Sequence, residues 1–172
     1  NGPIAIRYPR GRSQSIAQYP ISNIQHLIPS IGKGVCLHHG SEVAVLSIGA
    51  IGNTVAEAIN ILEAKGENLK ARIAHYDMRW LKPIDEALLA EVVENFSTIV
   101  TVEDGMINGG LGSAVAEYVS GLPTSESGIR RRVIRLGVND QFVEHGSTKE
   151  LYQLLKLDTQ GICESLLQAL EQ

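Results

Sequence analysis

Four segments of this 172-residue chain hold residue types that bind or transform small molecules. In Arg7-Tyr8-Pro9-Arg10-Gly11, Pro9 stiffens the backbone and bars a helix, and Gly11 permits a sharp turn. Arg10 is thereby presented at the end of a short strand. Arginine grips a phosphate through two parallel hydrogen bonds. A surface arginine paired with a carboxylate is the competing reading. In Glu103-Asp104-Gly105-Met106-Ile107-Asn108-Gly109-Gly110-Leu111-Gly112-Ser113 a glycine-rich turn follows a strand and opens a helix. Free N–H groups at such an N-terminus can hold a phosphate. Yet the segment matches neither GxGxxG nor GxxxxGK(S/T), lacks lysine, and carries two acids just ahead that repel an anion. The glycines read instead as left-handed backbone and close packing, against a strand or a partner subunit.

Asp77-Met78-Arg79-Trp80-Leu81-Lys82-Pro83-Ile84-Asp85 places charges at the end of a predicted strand, where open α/β sheets hold their ligands. The plainer reading is an Asp77–Arg79 pair fixing the turn, with Asp85 capping the next helix. Val143-Glu144-His145-Gly146 sets a His beside a Glu, but neighbours in a strand point apart, so an interface or loop-fixing role is expected for His145. His38-His39 falls at a tight turn with no Cys, Asp or Glu at ligand spacing, which argues against a metal. His26 and His75 stand alone. Cys36 and Cys163 sit among apolar residues, form no CxxC, and read as core. No GxSxG occurs, and no Ser or Cys has a recognisable base.

The elements that must position these residues alternate. Strands are predicted at 34–38, 43–48, 71–78, 98–103 and 133–136, from runs of Val, Ile, Leu and Thr. Thr54-Val55-Ala56-Glu57 has the form of a capping box opening a helix that Gly66 stops. Pro83 and Asp85 start a second helix. A third follows Gly112 and runs through Val119, ahead of a Gly/Ser/Pro loop at 121–130. Ser147-Thr148-Lys149-Glu150 is another capping box, with Leu151, Leu154 and Leu155 lining its helix, and Asp158 caps a last helix toward Leu170. This spacing implies a mostly parallel five-stranded sheet with helices on both faces. The turn at His39-Gly40-Ser41 joins the first two strands as a hairpin and puts one antiparallel strand on the sheet.

Composition narrows the partners. A net charge of -4 gives no pull toward nucleic acid or anionic membrane. The one basic run, Arg130-Arg131-Arg132 with Arg135, reads as a solvated loop leading into a strand. No apolar run is long enough to span a bilayer, no signal peptide is recognisable, and a reducing cytosol suits the two cysteines. Residues 4–8 form a β-type run ended by Pro9, and 9–30 lack periodicity and contain Gly11, Pro20 and Pro29. That stretch reads as an interdomain linker, with the domain proper beginning near Ile31. With no starting Met, the chain is expected to be a fragment of a larger enzyme. A free-standing module associating through its glycine-rich face, and a flavodoxin-like nucleotide binder, are the rival readings.

Together, IAIRYPRG (4–11), IGKGV (31–35), DMRWLKPIDE (77–86), TVEDGMINGGLGSAVAEY (101–118) and LGVNDQFVEHGSTKELYQLLKLDTQGI (136–162) resemble the 1-deoxy-D-xylulose-5-phosphate synthases, within the transketolase superfamily. They occur in family order across nearly the whole chain. The glycine-rich segment is shared more widely; RYPRG, the Lys-Pro-Ile-Asp form and EHG are more specific to the synthases. The resemblance implies a parent transferase, a cytoplasmic homodimer, that uses thiamin diphosphate and Mg²⁺ to join pyruvate to glyceraldehyde 3-phosphate. The product feeds isoprenoid, thiamin and pyridoxal synthesis. It implies that residues 1–11 close a preceding pyrimidine-binding domain, 12–30 link, and 31–172 form a transketolase-type C-terminal domain, a three-layer α/β/α sandwich that contributes to dimerisation. Arg10 then contacts the acceptor's phosphate, while no catalytic, cofactor or metal residue lies in the chain. The family's Gly-Asp-Gly motif with its following Asn, which holds the diphosphate and Mg²⁺, does not occur here. Asn139 stands where the family commonly has Pro, and the 121–130 loop is of a variable kind.

Overall fold

Side chains that alternate along the central strands set the layers of this protein. The computed structural model describes residues 2–3, 30–66, 68–122 and 131–171. Arg10, His26, residues 4–29 and most of the 121–130 loop lie outside them. Five strands, β1 (Val35–His38), β2 (Val43–Ile48), β3 (Ile73–Asp77), β4 (Thr98–Met106) and β5 (Arg132–Val138), form one sheet in the order β1-β3-β2-β4-β5. All neighbours are parallel except β1 and β3. Val43 and Val45 point to one face and Ala44 and Leu46 to the other, each fully buried. The first face is covered by α1 (Ile51–Ala64) and α6 (Thr159–Leu170), through Val55, Leu62, Ile162 and Leu166. The second is covered by α3 (Glu86–Asn95) and α4 (Leu111–Ser120), through Leu89, Val92, Leu111 and Val115. The short α2 (Leu69–Arg72) leads into β3, and α5 (Thr148–Leu154) precedes α6. This is the three-layer arrangement implied above. Among the described residues no helix is long and apolar enough to cross a membrane.

Three local expectations change. First, β1 and β2 form no hairpin. The antiparallel strand exists, but it pairs with β3, which slots between them. The link crosses the start of β3, where a side chain on Gly40 would collide with the backbone of Ile73 and Ala74. The Glu42 N–H donates to the Arg72 carbonyl at 2.9 Å, and the Arg72 guanidinium holds the Glu42 carboxylate at 2.7 and 2.8 Å. Second, α1 begins at Ile51, one turn ahead of the capping box. Gly49, at φ 79°, turns the chain, and Gly52 lets the helix approach so closely that a Cβ there would sit 2.8 Å from Ser47 Oγ. Glu57 instead accepts from Thr159 Oγ1 of α6 at 2.9 Å. Third, Leu154 does not line α5's packed face; it is 67% exposed. The box at Ser147 and Glu150 and the caps at Asp85 and Asp158 form as expected.

Beneath Gly52 lies a buried polar pair. His75 Nε2 is 2.8 Å from Ser47 Oγ, and each residue is 1% exposed. Burial, with a smaller contribution from His38, pushes His75 down to about 4 from 6.5. The unfolded chain therefore takes up a proton on this ring before the folded one does. Stability is expected to be complete above about pH 6.5 and to fall toward pH 4, by about 3 kcal/mol from this group alone. Thermal melts of the chain across that window check this; a His75→Gln variant should flatten that part of the profile.

Candidate functional site

The loops after β2, β3, β4 and β5 meet at one rim of the sheet, the end where ligands of open α/β folds bind. The glycine-rich turn is its centre. β4 runs on through Glu103 to Met106, beyond the strand end expected from sequence, with an irregular register after Val102. The turn then folds back, so that the Glu103 side chain lies under the start of α4. Its Oε2 accepts from the Leu111 N–H at 2.9 Å and its Oε1 from the Gly112 N–H at 2.8 Å. Glu103 is 6% exposed. The helix N-terminus is thus occupied by the protein's own carboxylate, the arrangement that peptide dipoles favour. Glycine is required around it: a Cβ on Gly110 would collide with the carboxylate, and Gly109 has φ 80°. On β5, a Cβ on Gly137 would lie 2.7 Å from Ile107 Cγ2 and 3.1 Å from Glu103 Cγ. Ser113 Oγ donates to the Ile107 carbonyl and accepts from the Gly109 N–H, both at 2.8 Å, and Arg135 Nη1 reaches the same carbonyl at 3.3 Å.

The acids ahead of the glycines therefore do more than repel an anion. Glu103 is the anion, and the turn has no free phosphate cradle at Leu111 and Gly112. That removes the structural basis for the flavodoxin-like reading at this turn. Sequence reasoning missed this role. The available signal was an inward-facing acid near the end of a strand, eight residues ahead of a helix opened by glycines.

The second rim feature is the corner after β3. Asp77 Oδ1 accepts from the Arg79 N–H at 3.1 Å, and Asp77 Oδ2 lies 3.5 Å from Arg79 Nε. Arg79 takes φ 57°, a left-handed conformation uncommon outside glycine, and Asp77 holds it there. Burial pushes the Asp77 carboxyl up, against the opposing pull of Arg79. This is the turn-fixing pair expected from the sequence. Asp85 does more than cap α3. Besides the Leu88 N–H at 3.2 Å, it accepts from Lys33 Nζ and the Gly34 N–H, both at 3.1 Å. Burial works against its charge, but these donors outweigh it and hold the carboxyl below its ordinary value. The chain segment leading into β1 is thereby stapled to the rim.

The third feature, Glu144-His145, lies in the loop between β5 and α5 rather than in a strand, and both residues are exposed. Nothing brings an acid or base partner to His145 among the described residues. The fold does supply bases that the sequence did not reveal. Ser47 meets His75, but both are sealed from substrate. Cys36 Sγ, on the edge strand, lies 3.6 Å from His39 Nδ1, and burial pushes the thiol up, away from the thiolate that does chemistry. Cys163 is 3% exposed, packs against the Ala58 carbonyl, and is likewise raised by burial. His38 Nε2 lies 3.1 Å from the Lys70 carbonyl. Among the described residues no three His, Cys, Asp or Glu side chains gather where a metal could be held. Arg131 is not simply solvated: its Nε donates to the Val93 carbonyl at 2.6 Å, tying β5 to α3.

The sequence and the fold both have counterparts among known proteins. The family model described as transketolase, C-terminal domain, matches residues 32–162. The chain belongs to the transketolase C-terminal domain family. It is 45% identical to the 1-deoxy-D-xylulose-5-phosphate synthase of Parabacteroides distasonis over 96% of this chain and 24% of that enzyme. It is 44% identical to the synthase of Bacteroides fragilis over 94% of this chain and 23% of that enzyme. The chain thus spans about a quarter of the length of these relatives. A split-gene transketolase, solved as an inactive β4 tetramer, superposes with a TM-score of 0.68 at 34% identity, over 83% of this chain and 43% of that one.

In this transketolase C-terminal domain, replacing Glu103 by Gln turns one acceptor oxygen into a donor facing another donor. Glu103→Gln is expected to cost about 2 kcal/mol. That corresponds to a melting temperature lower by roughly 4–8 °C. Calorimetry of wild type and variant at neutral pH measures it; equal melting temperatures would remove the carboxylate from this role.

Proposed function

We propose that the chain is the C-terminal domain of a synthase that condenses pyruvate with glyceraldehyde 3-phosphate to 1-deoxy-D-xylulose 5-phosphate and CO₂. The observation that carries this reading is the 44–45% identity, over 94–96% of the chain, to enzymes of that name. The parent is then a cytoplasmic transketolase-type transferase serving isoprenoid and thiamin synthesis. The parent is read as a homodimer; the β4 assembly of the split-gene transketolase supports self-association. Thiamin diphosphate with Mg²⁺, when bound to the parent, supplies the carbanion that takes pyruvate apart.

The described residues do not fit that cofactor. The two N–H groups at the start of α4 are held by Glu103. No acidic or histidine cluster converges among the described residues, and the sequence holds no Gly-Asp-Gly. The domain's part is to form scaffold and subunit contact, and it makes no product alone. Residues 1–11 are read as the last strand of the preceding domain and 12–30 as the link. Within them Arg10 holds the phosphate of the aldehyde acceptor. A guanidinium binds a phosphate dianion bidentately, which fixes the aldehyde's orientation as well as its charge.

In the full-length parent, Arg10→Ala is expected to raise KM for glyceraldehyde 3-phosphate and to spare that for pyruvate. A charge-assisted contact is worth about 1.5–3 kcal/mol, roughly tenfold or more in affinity. Steady-state kinetics with each substrate varied decides it; an unchanged acceptor KM takes Arg10 out of the site. Titration calorimetry of this chain with thiamin diphosphate and Mg²⁺ is expected to show no binding heat. Micromolar affinity would overturn the assignment of the cofactor site to other parts of the parent.

A further inference from the structure

Helices α1, α5 and α6 share a groove of about 710 Å³ in the layer that covers the first face of the sheet. Clefts that bind small molecules run from about 300 to 1,000 Å³. Its apolar part comes from Ile61 of α1, Tyr152 of α5, and Cys163 and Leu167 of α6. Ile61 is left 41% exposed there. The helices that form the groove are fixed in place. Thr159 Oγ1 ties α6 to Glu57 of α1, the box at Ser147 and Glu150 fixes the start of α5, and Asp158 caps α6.

Four charged side chains also line the groove: Lys65, Lys149, Asp158 and Glu164. The two acids are engaged. Asp158 accepts from the Gly161 N–H at 3.1 Å. Glu164 accepts from Gln160 Nε2 at 3.1 Å and lies 4.0 Å from Lys156 Nζ. The two lysines have no ion-pair or hydrogen-bond partner among the described residues. Lys149 stands in the first turn of α5, where the helix dipole opposes a positive charge. Its own helix gives no reason for a cation there. Burial raises the Cys163 thiol and the Lys65 charge pulls it back, which puts that ammonium within reach of the groove's interior. The unengaged charge in the groove is therefore positive, on a chain whose net charge is -4.

We propose that this groove binds an amphiphilic anion, a flat apolar body carrying a carboxylate or phosphate, with Lys65 and Lys149 as its charge partners. A bare anion would leave Ile61 and Leu167 uncovered. A neutral apolar ligand would leave both ammonium groups unused. Lysine acts as a point charge on a flexible stem, so it takes either head group without the fixed geometry a guanidinium demands. Its stem can also lie along the ligand's apolar body. The proposal does not depend on the reaction assigned to the parent.

The test follows hydrogen exchange of the full-length parent by mass spectrometry. The probes are 1-naphthyl phosphate, 1-naphthoate, 1-naphthol and inorganic phosphate, each up to about 1 mM. One or both naphthyl anions are expected to slow exchange in peptides covering 54–65 and 149–167, and 1-naphthol and inorganic phosphate are not. Whichever anion protects at the lower concentration names the head group. No slowing in those peptides with either anion overturns the proposal, as does slowing of equal size with 1-naphthol or with inorganic phosphate. Reading the peptides separates this groove from binding elsewhere in the parent. A variant carrying both Lys65→Gln and Lys149→Gln is expected to need roughly tenfold more probe for the same protection. An unchanged titration overturns the proposal. Both lysines are exposed, so the variant's melting temperature should match the wild type's. Should it misfold, the comparison of the four probes on the unmodified parent still decides.

Discussion

A carboxylate buried against the start of a helix costs free energy unless its oxygens are fully used, and Glu103 uses both. Its position dictates much of what surrounds it. β4 must run on far enough to bring residue 103 beneath α4, and the turn must fold back over it. Residues 110 and 137 must lack side chains to leave room. Helix α4 is then fixed over Thr101 and Arg135, where a Cβ on Gly112 would come within 2.9 Å of each side chain. A glycine-rich turn of this kind invites comparison with phosphate-binding loops. The difference lies in who supplies the negative charge. Here the protein does, so the turn is a closed structural joint.

The same economy governs the rest of the rim. Asp85 satisfies the first turn of α3 and ties down the incoming chain with one side chain. Asp77 holds Arg79 in a left-handed conformation at the end of β3. The loops after β3 and β4 are thus pinned by carboxylates from a strand end or a helix cap. A rigid rim of that sort suits a scaffold better than a catalytic cleft.

Function here depends on what the domain belongs to. The fold and the family are those of a transketolase C-terminal domain. The reaction proposed for the parent needs a cofactor that the described residues are not built to hold. Arg10, the side chain proposed to touch substrate, precedes residues 32–162, which the family model matches. In the function proposed above, the C-terminal domain supplies its sheet and helices as a frame for the rest of the parent.

Most of the fold was legible from local patterns. Runs of Val, Ile and Leu marked five strands, and Asp85, Ser147 and Asp158 marked helix starts, because a cap bonds its own helix within three residues. Strand-helix alternation determined a mostly parallel sheet, since parallel strands need crossovers. What the local pattern could not decide was anything joining distant residues. The partner of β1 depends on whether β3 enters between two strands adjacent in sequence. The start of α1 depends on Gly52 finding Ser47 and His75 beneath it, and Thr54-Glu57 looked like a cap only until Thr159 claimed the glutamate. Glu103 read as a repelling charge because its two N–H partners lie eight and nine residues onward, across a turn. Hydrogen bonds within one helical turn are written into adjacent residues. Those that close a turn or pair strands exist only once the backbone has brought their partners together.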